Sequence, residues 1–362
     1  MKQLHVDLIA LGFTGSYGRV AAFARSWRAD RVDFDRRSPL WGKVHMAQFS
    51  VKIIRLNGAV LDENQQPMGL GAAPGRFWMS SRFQLWRFEN FLDAGEERDG
   101  FDALYVPTTG HTTGDIDMHD IHVGPDGTPV FVATRFNCLA TLSPRGSFAE
   151  LWRPPFIDDL VAEDRCHLNG LAMDAGRPAF VTCLSRSNVF EGWRARRRDG
   201  GVVLDVASGE VAAADLSMPH SPRLHDGSLW VLQAGSGEFG RIDLASGQFE
   251  PVCFLPGFAR GLSFVGHHAV IGLSRPRENR TFQGLVLNER LEALGVSPDC
   301  AICVVNLHTG EIEHRLSIEG VVEEIYDVAV LPGVTRPKML GFRNDEINFT
   351  IRPDALTERR LS

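Results

Sequence analysis

The sequence predicts an all-β chain folded as a six-bladed β-propeller, with seven blades as the alternative. Three repeated signals carry that expectation. Short apolar strands follow a glycine turn at "PGRFWMSS" (74–81), "DGTPVFVAT" (126–134), "AGRPAFVTCLS" (175–185), "DGSLWVLQAG" (226–235) and "VGHHAVIGLS" (265–274). Their glycines, Gly75, Gly127, Gly176, Gly227 and Gly266, are spaced by 52, 49, 51 and 39 residues, close to the ~40–50 residues of a four-stranded blade. Inside that period a second tight hairpin recurs at "LDVASGEV" (204–211), "IDLASGQF" (242–249) and "VNLHTGEI" (305–312). Before each first hairpin stands a candidate innermost strand: "MGLGA" (68–72), "HDIHV" (119–123), "NGLAM" (169–173), "HSPRL" (220–224), "RGLSF" (260–264) and "EIYDV" (324–328).

The elements then follow in chain order. Residues 1–35 form a short non-propeller N-terminal extension, read as a poorly packed helix or fusion remnant. Residues 40–345 form the single propeller domain, and 346–362 a C-terminal tail. The last blade ends after "PKMLGF", so its outer strands are expected from "AQFSVKIIRL" (47–56), which would close the ring and remove an open edge.

The bulk composition narrows the class of function. A formal charge of −7 does not favour a nucleic-acid or anionic-membrane partner. No apolar run approaches the ~20 residues that span a bilayer, and "MKQLHVDLIALGF" lacks a signal-peptide pattern, so a cytoplasmic location and reduced cysteines are expected.

In a propeller the short turns share one face and the longer connections the other. The long ones are 107–117, 153–168, 186–201 and 275–299. Binding residues favour long loops on a rigid scaffold, so this face is the expected site of a small-molecule ligand or peptide.

Aligning the inner strands at their first residue gives Met68, His119, Asn169, His220, Arg260 and Glu324 around the channel mouth. The third position is apolar or aromatic throughout: Leu70, Ile121, Leu171, Pro222, Leu262 and Tyr326. His119, Asn169, His220 and Glu324 are the candidate ligands of one divalent metal, whether Zn, Fe, Mn or Ca, because imidazole suits the borderline ions and oxygen the harder ones. His111, Asp117, His167 and Asp327 lie within a few residues of that ring and are the catalytic candidates. Arg82, Arg135, Arg260 and Arg275 are candidates for binding a carboxylate or phosphate. His122, three residues into its strand, is expected to be structural. The bland alternative for the whole ring is a set of polar residues capping strands at a water-filled opening. An interaction platform without catalysis, gripping a protein partner with the long loops, is the alternative function.

The stretches "HTTGDIDMHDI", "RPPFIDDLVAEDRCHLNGLA", "SMPHSPRLHDGSLWVL" and "GVVEEIYDVAVLPGV" resemble an uncharacterised bacterial family of conserved hypothetical proteins, TIGR03032, over about Met68 to Gly341. More remotely the architecture is similar to gluconolactonase propellers, which hold a divalent metal near the axis. That likeness implies a metal-dependent hydrolase or lactonase, or an oxygenase-like enzyme. Asn169 and Glu324 fit the pattern, whereas His119 and His220 depart from it. "LGFTGSYGRVAAFARSWRAD" (11–30) resembles a segment of IS21-family transposases of the IstA type.

Overall fold

The computed structural model describes residues 32–34, 68–275, 283–318, 322–342 and 345–353, the first of these as backbone only. Strand β1 (Val32–Phe34) is followed by the first blade: β2 (Leu70–Ala73), β3 (Arg76–Ser80), β4 (Gln84–Asn90) and β5 (Ala103–Thr112). The second holds β6 (Met118–Val123), β7 (Pro129–Ala133), β8 (Cys138–Thr141) and β9 (Ala149–Trp152). The third holds β10 (Leu168–Asp174), β11 (Arg177–Cys183), β12 (Gly201–Asp205) and β13 (Val211–Leu216). The fourth holds β14 (Pro219–His225), β15 (Ser228–Gln233), β16 (Glu238–Asp243) and β17 (Gln248–Phe254). The fifth holds β18 (Phe258–Val265), β19 (His268–Ser274), then helix α1 (Val286–Leu294), β20 (Ala301–Asn306) and β21 (Ile312–Ile318). Each is an antiparallel meander. Strand β22 (Pro337–Met339) adds in parallel to the outer edge of β5, and β1 pairs with β21.

The expected hairpins form where the glycines predict them. Gly75, Gly127, Gly176, Gly227 and Gly266 all have positive φ, between 53° and 81°, where a side chain is disfavoured. Close approach accounts for another glycine: a Cβ at Gly71 would lie 2.9 Å from Ile121, so β2 and β6 pack with no room for a side chain there.

Blade count departs from the expectation. The described residues form a propeller of five sheets, not six. Strands β2, β6, β10, β14 and β18 pack in succession around the axis. The segment 323–331 fills the remaining place between β18 and β2. Arg275 N donates to Glu323 O, Ile325 N to Ser274 Oγ and Val330 N to Ser263 Oγ on one side, and Leu70 N donates to Asp327 Oδ2 on the other. Among the described residues it is not paired as a strand; the expected outer strand 47–56 and the segment 11–30 lie outside the described residues.

A buried clasp ties the inner strands across the axis. Arg223 grips Asp120 with two nitrogens, at 2.8 and 3.0 Å, and also donates to the carbonyls of Leu171, Pro222 and Leu262. Asp120 accepts from Leu171 N and Ile121 N. Asp327 repeats that pattern, accepting from Leu70 N and Val328 N. Among the described residues no helix is long and apolar enough to cross a membrane.

Candidate functional site

The inner strands of blades two to four start with the same backbone device. Asp117, His167 and Met218 sit at φ 55°, 52° and 48°, a region costly for residues other than glycine. Such strain persists only where the surroundings over-determine it. The register of β6, β10 and β14 then slips between Met118 and Ile121, Leu168 and Gly170, and His220 and Arg223. Bulges of this kind re-aim side chains. Their effect is to turn three imidazoles toward one end of the channel.

Each imidazole is anchored through Nδ1. His220 Nδ1 donates to Met218 O at 2.8 Å, a carbonyl two residues back. His119 Nδ1 lies 3.0 Å from Asp117 O, the equivalent carbonyl, and 2.9 Å from Thr134 Oγ1. The Thr134 hydroxyl gives its proton to Leu168 O at 2.6 Å, so it accepts from His119. His167 Nδ1 donates to Asp164 Oδ2 at 2.8 Å, and Trp193 Nε1 donates to the same oxygen at 2.9 Å. In a neutral ring a proton on Nδ1 leaves Nε2 with its lone pair. His220 Nε2 is buried and has no hydrogen-bond partner among the described residues.

The rings form one cluster. His119 and His167 meet edge to face at 4.9 Å, and His167 lies 4.4 Å from the Trp193 ring. Burial lowers the pKa of His119, with Asp117 opposing and His167 and Arg260 adding to the fall. Burial, then the Arg260 charge, lowers that of His220 further. Both are therefore neutral at pH 7. Asp164 is held below the usual carboxylate range although burial pushes the other way, because His167, His119 and Trp193 all favour its charged form. The Arg260 guanidinium stacks on Phe258 and Tyr326, at 5.0 and 5.1 Å from their ring centres. The arrangement thus offers neutral acceptor nitrogens beside a fixed cation, suited to holding an anion and moving a proton.

The structure brings His119, His167, His220 and Arg260 near one another, with Asp117 Oδ1 3.6 Å from His119 Nδ1. Asn169 does not serve as a ligand: its amide nitrogen donates to Pro219 O and its oxygen accepts from Thr182 Oγ1, so the side chain is spent on holding strands together. Glu324 is out of register. Asp327 makes the bonds that Asp120 makes, which puts Tyr326 in the place of His119, and the sixth inner segment must be shifted by two residues. For the same reason Asp327 is a buried clasp residue and not a catalyst at the mouth. His111 lies on β5, opposite Leu85, where 107–112 is strand and not loop, and its Nε2 meets Ser147 O far out on the blade. Arg82 and Arg135 both pair with Asp115 Oδ2, at 3.0 and 3.1 Å, in one exposed group. Arg275 is exposed.

The metal set of His119, Asn169, His220 and Glu324 therefore does not fit. Among the described residues no group of three or more His, Cys, Asp or Glu side chains is placed to hold a metal. Two depressions, of about 290 and 610 Å³, lie elsewhere, the larger against Pro155, Phe156 and Arg186. All six cysteines are free, and burial pushes the Cys138 thiol up to about 12.

Sequence reading missed Asp164, Trp193 and Thr134. Asp164 stands three residues before His167 in "EDRCH", a spacing that signals contact only once the left-handed turn at His167 is known. Trp193 arrives from the 186–201 loop on a 3-10 turn, Gly192–Arg196.

A family described as a domain of unknown function, DUF4915, matches residues 51–340. A transposase from Aminobacter aminovorans is 74% identical over 31 residues, which are 9% of this chain and 6% of that protein. Solved structures with a similar fold include a gluconolactonase candidate, at 13% identity and TM-score 0.48 over 84% of this chain and 94% of that one. Regucalcin, a calcium-binding protein from Agrobacterium tumefaciens, is 16% identical with TM-score 0.46 over 75% and 80%. A streptogramin B lyase is 14% identical with TM-score 0.38 over 71% and 69%.

Proposed function

The chain belongs to the DUF4915 family, and we propose that in this protein the channel mouth binds a small anionic ligand and is the working site. The supporting observation is the Arg260 guanidinium, held between Phe258 and Tyr326 and acting on the neutral imidazoles of His119 and His220. A carboxylate accepts bidentate hydrogen bonds from such a planar cation. Neutral imidazoles beside it take up a ligand hydroxyl or proton without repelling substrate. No step is drawn through a metal, since the expected ligand set does not fit.

The same reading takes 323–331 as the inner strand of a sixth blade and keeps membership of TIGR03032 as a finer assignment. Titration with malonate tests the binding claim. A charged hydrogen bond is worth about 1.5–3 kcal/mol, so Arg260→Ala should weaken malonate by about ten- to a hundredfold. Equal affinity in the variant, or no affinity in the native protein, refutes the proposal.

A second reading, a platform for a protein partner, draws support from Val189 and Phe190, which are 68% and 60% exposed in the 186–201 loop. Trimming 186–199 should then abolish partner binding while Arg260→Ala leaves it intact.

A further inference from the structure

The mouth holds three imidazoles, but only His167 hydrogen-bonds a carboxylate through Nδ1; Asp117 Oδ1, 3.6 Å from His119 Nδ1, stands beyond hydrogen-bond distance. His119 and His220 hand their Nδ1 protons to carbonyls, which orient the ring and carry no net charge. His167 hands its proton to Asp164, whose side chain is 19% exposed and is fixed by a second donor, Trp193 Nε1. The other oxygen, Asp164 Oδ1, is buried with no hydrogen-bond partner among the described residues. A carboxylate kept in such a place stabilises positive charge on the ring it touches. The Asp also fixes the tautomer that leaves Nε2 bare. The strained φ of 52° at His167 is what brings this ring against both Trp193 and His119.

We propose that His167 is the general base of the site and Asp164 its positioning residue, so that the protein catalyses proton transfer on small carboxylates held by Arg260. This rests on the anion-binding reading above. His167 Nε2 takes the proton from the carbon beside the carboxylate. The C–H electron pair moves into the carboxylate as an enediolate facing Arg260, and the proton returns from His167 to carbon. No oxidant, reductant or second substrate is required.

The probe is bromoacetate, a small carboxylate carrying an electrophilic carbon. In the trapping reaction the Nε2 lone pair forms an N–C bond, the C–Br bond breaks and bromide leaves. Peptide mapping of the full chain at pH 7.5 should find the carboxymethyl group first on His167. The half-buried His111 and the exposed His267 and His308 should react later. Bromoacetate should outpace the neutral bromoacetamide at His167, and Arg260→Ala should erase that preference. Asp164→Asn should slow alkylation of His167 by both reagents at least about tenfold. Trp193→Phe, which removes only the indole N–H, should slow it less, and it guards against an Asp164 variant that fails to fold.

First alkylation at a surface histidine, or an unchanged rate at His167 in both variants, overturns the base assignment. Asp164-dependent alkylation of His167 without preference for bromoacetate keeps the base and refutes the anion site instead.

Discussion

The clasp at the axis gives the sharpest prediction for stability. Asp120 and Arg223 are 3% and 12% exposed in their side chains, and two nitrogens of Arg223 meet both Asp120 oxygens. Asp120→Ala takes from the buried Arg223 charge its hydrogen-bonded carboxylate, leaving backbone carbonyls and Asp327 Oδ1 at 4.0 Å, and leaves Leu171 N and Ile121 N without their acceptor. Breaking one side of a buried pair costs about 3–5 kcal/mol. With a urea slope of about 3 kcal/mol/M, the midpoint should fall by about 1–1.7 M. The double variant Asp120→Ala with Arg223→Met should recover part of the loss, because the stranded cation is gone. Urea unfolding followed by tryptophan fluorescence measures all three. A fall below about 1 kcal/mol for Asp120→Ala, or strict additivity in the double variant, would refute the view that the pair is the tie across the blades.

Two further outcomes concern Asp327 and Ala175. Burial, then the neighbouring Asp120 charge, raises Asp327 from 3.8 to about 7, with Arg223 opposing. The folded chain then keeps a proton that the unfolded chain loses, so this group's contribution to stability is full below pH 3.8 and declines as pH rises toward 7. Asp327→Asn should flatten that part of the stability profile measured by chemical unfolding between pH 4 and 8. Ala175 is exposed at φ 44° in the turn between β10 and β11, so Ala175→Gly should raise stability by about 1 kcal/mol in thermal melts. No change would show that the turn is not strained.

Much of the fold was legible because its signals are local. A glycine at positive φ and a strand of alternating burial leave their mark within ten residues, and five blades fell where the turns predicted them. The sixth position was harder, since "EIYDV" lacks a following hairpin of its own. Aligned on the first polar residue, it put Glu324 in the ring. The hydrogen bonds of Asp327 show that the register is set by the clasp carboxylate, a residue whose partner lies in another blade.

The site was half legible for the same reason. His119 and His220 repeat at the head of equivalent strands, so a blade alignment finds them. Asn169 occupies the equivalent place but turns its amide to Pro219 and Thr182. His167 reaches the mouth instead, from two residues earlier. Which of two polar residues faces the opening depends on one bulge and one left-handed residue, and sequence spacing records neither. Asp164 and Trp193 matter only through that turn. His111 misled because "TTGHTTGD" reads as a turn-rich loop, while the pairing of β5 with β4 extends the strand through it.

Three imidazoles carry a proton on Nδ1 at the mouth, and burial keeps those of His119 and His220 neutral. Nitrogen-15 NMR of protein labelled at histidine reports the protonation of each ring nitrogen directly, with His119→Gln, His167→Gln and His220→Gln variants giving the assignments. Pyrrole-type Nδ1 and pyridine-type Nε2 signals for His119 and His220 at pH 7, and a protonated Nδ1 on His167, are the predicted result. A protonated Nε2 on His119 or His220, as imidazolium or as the other tautomer, would contradict it.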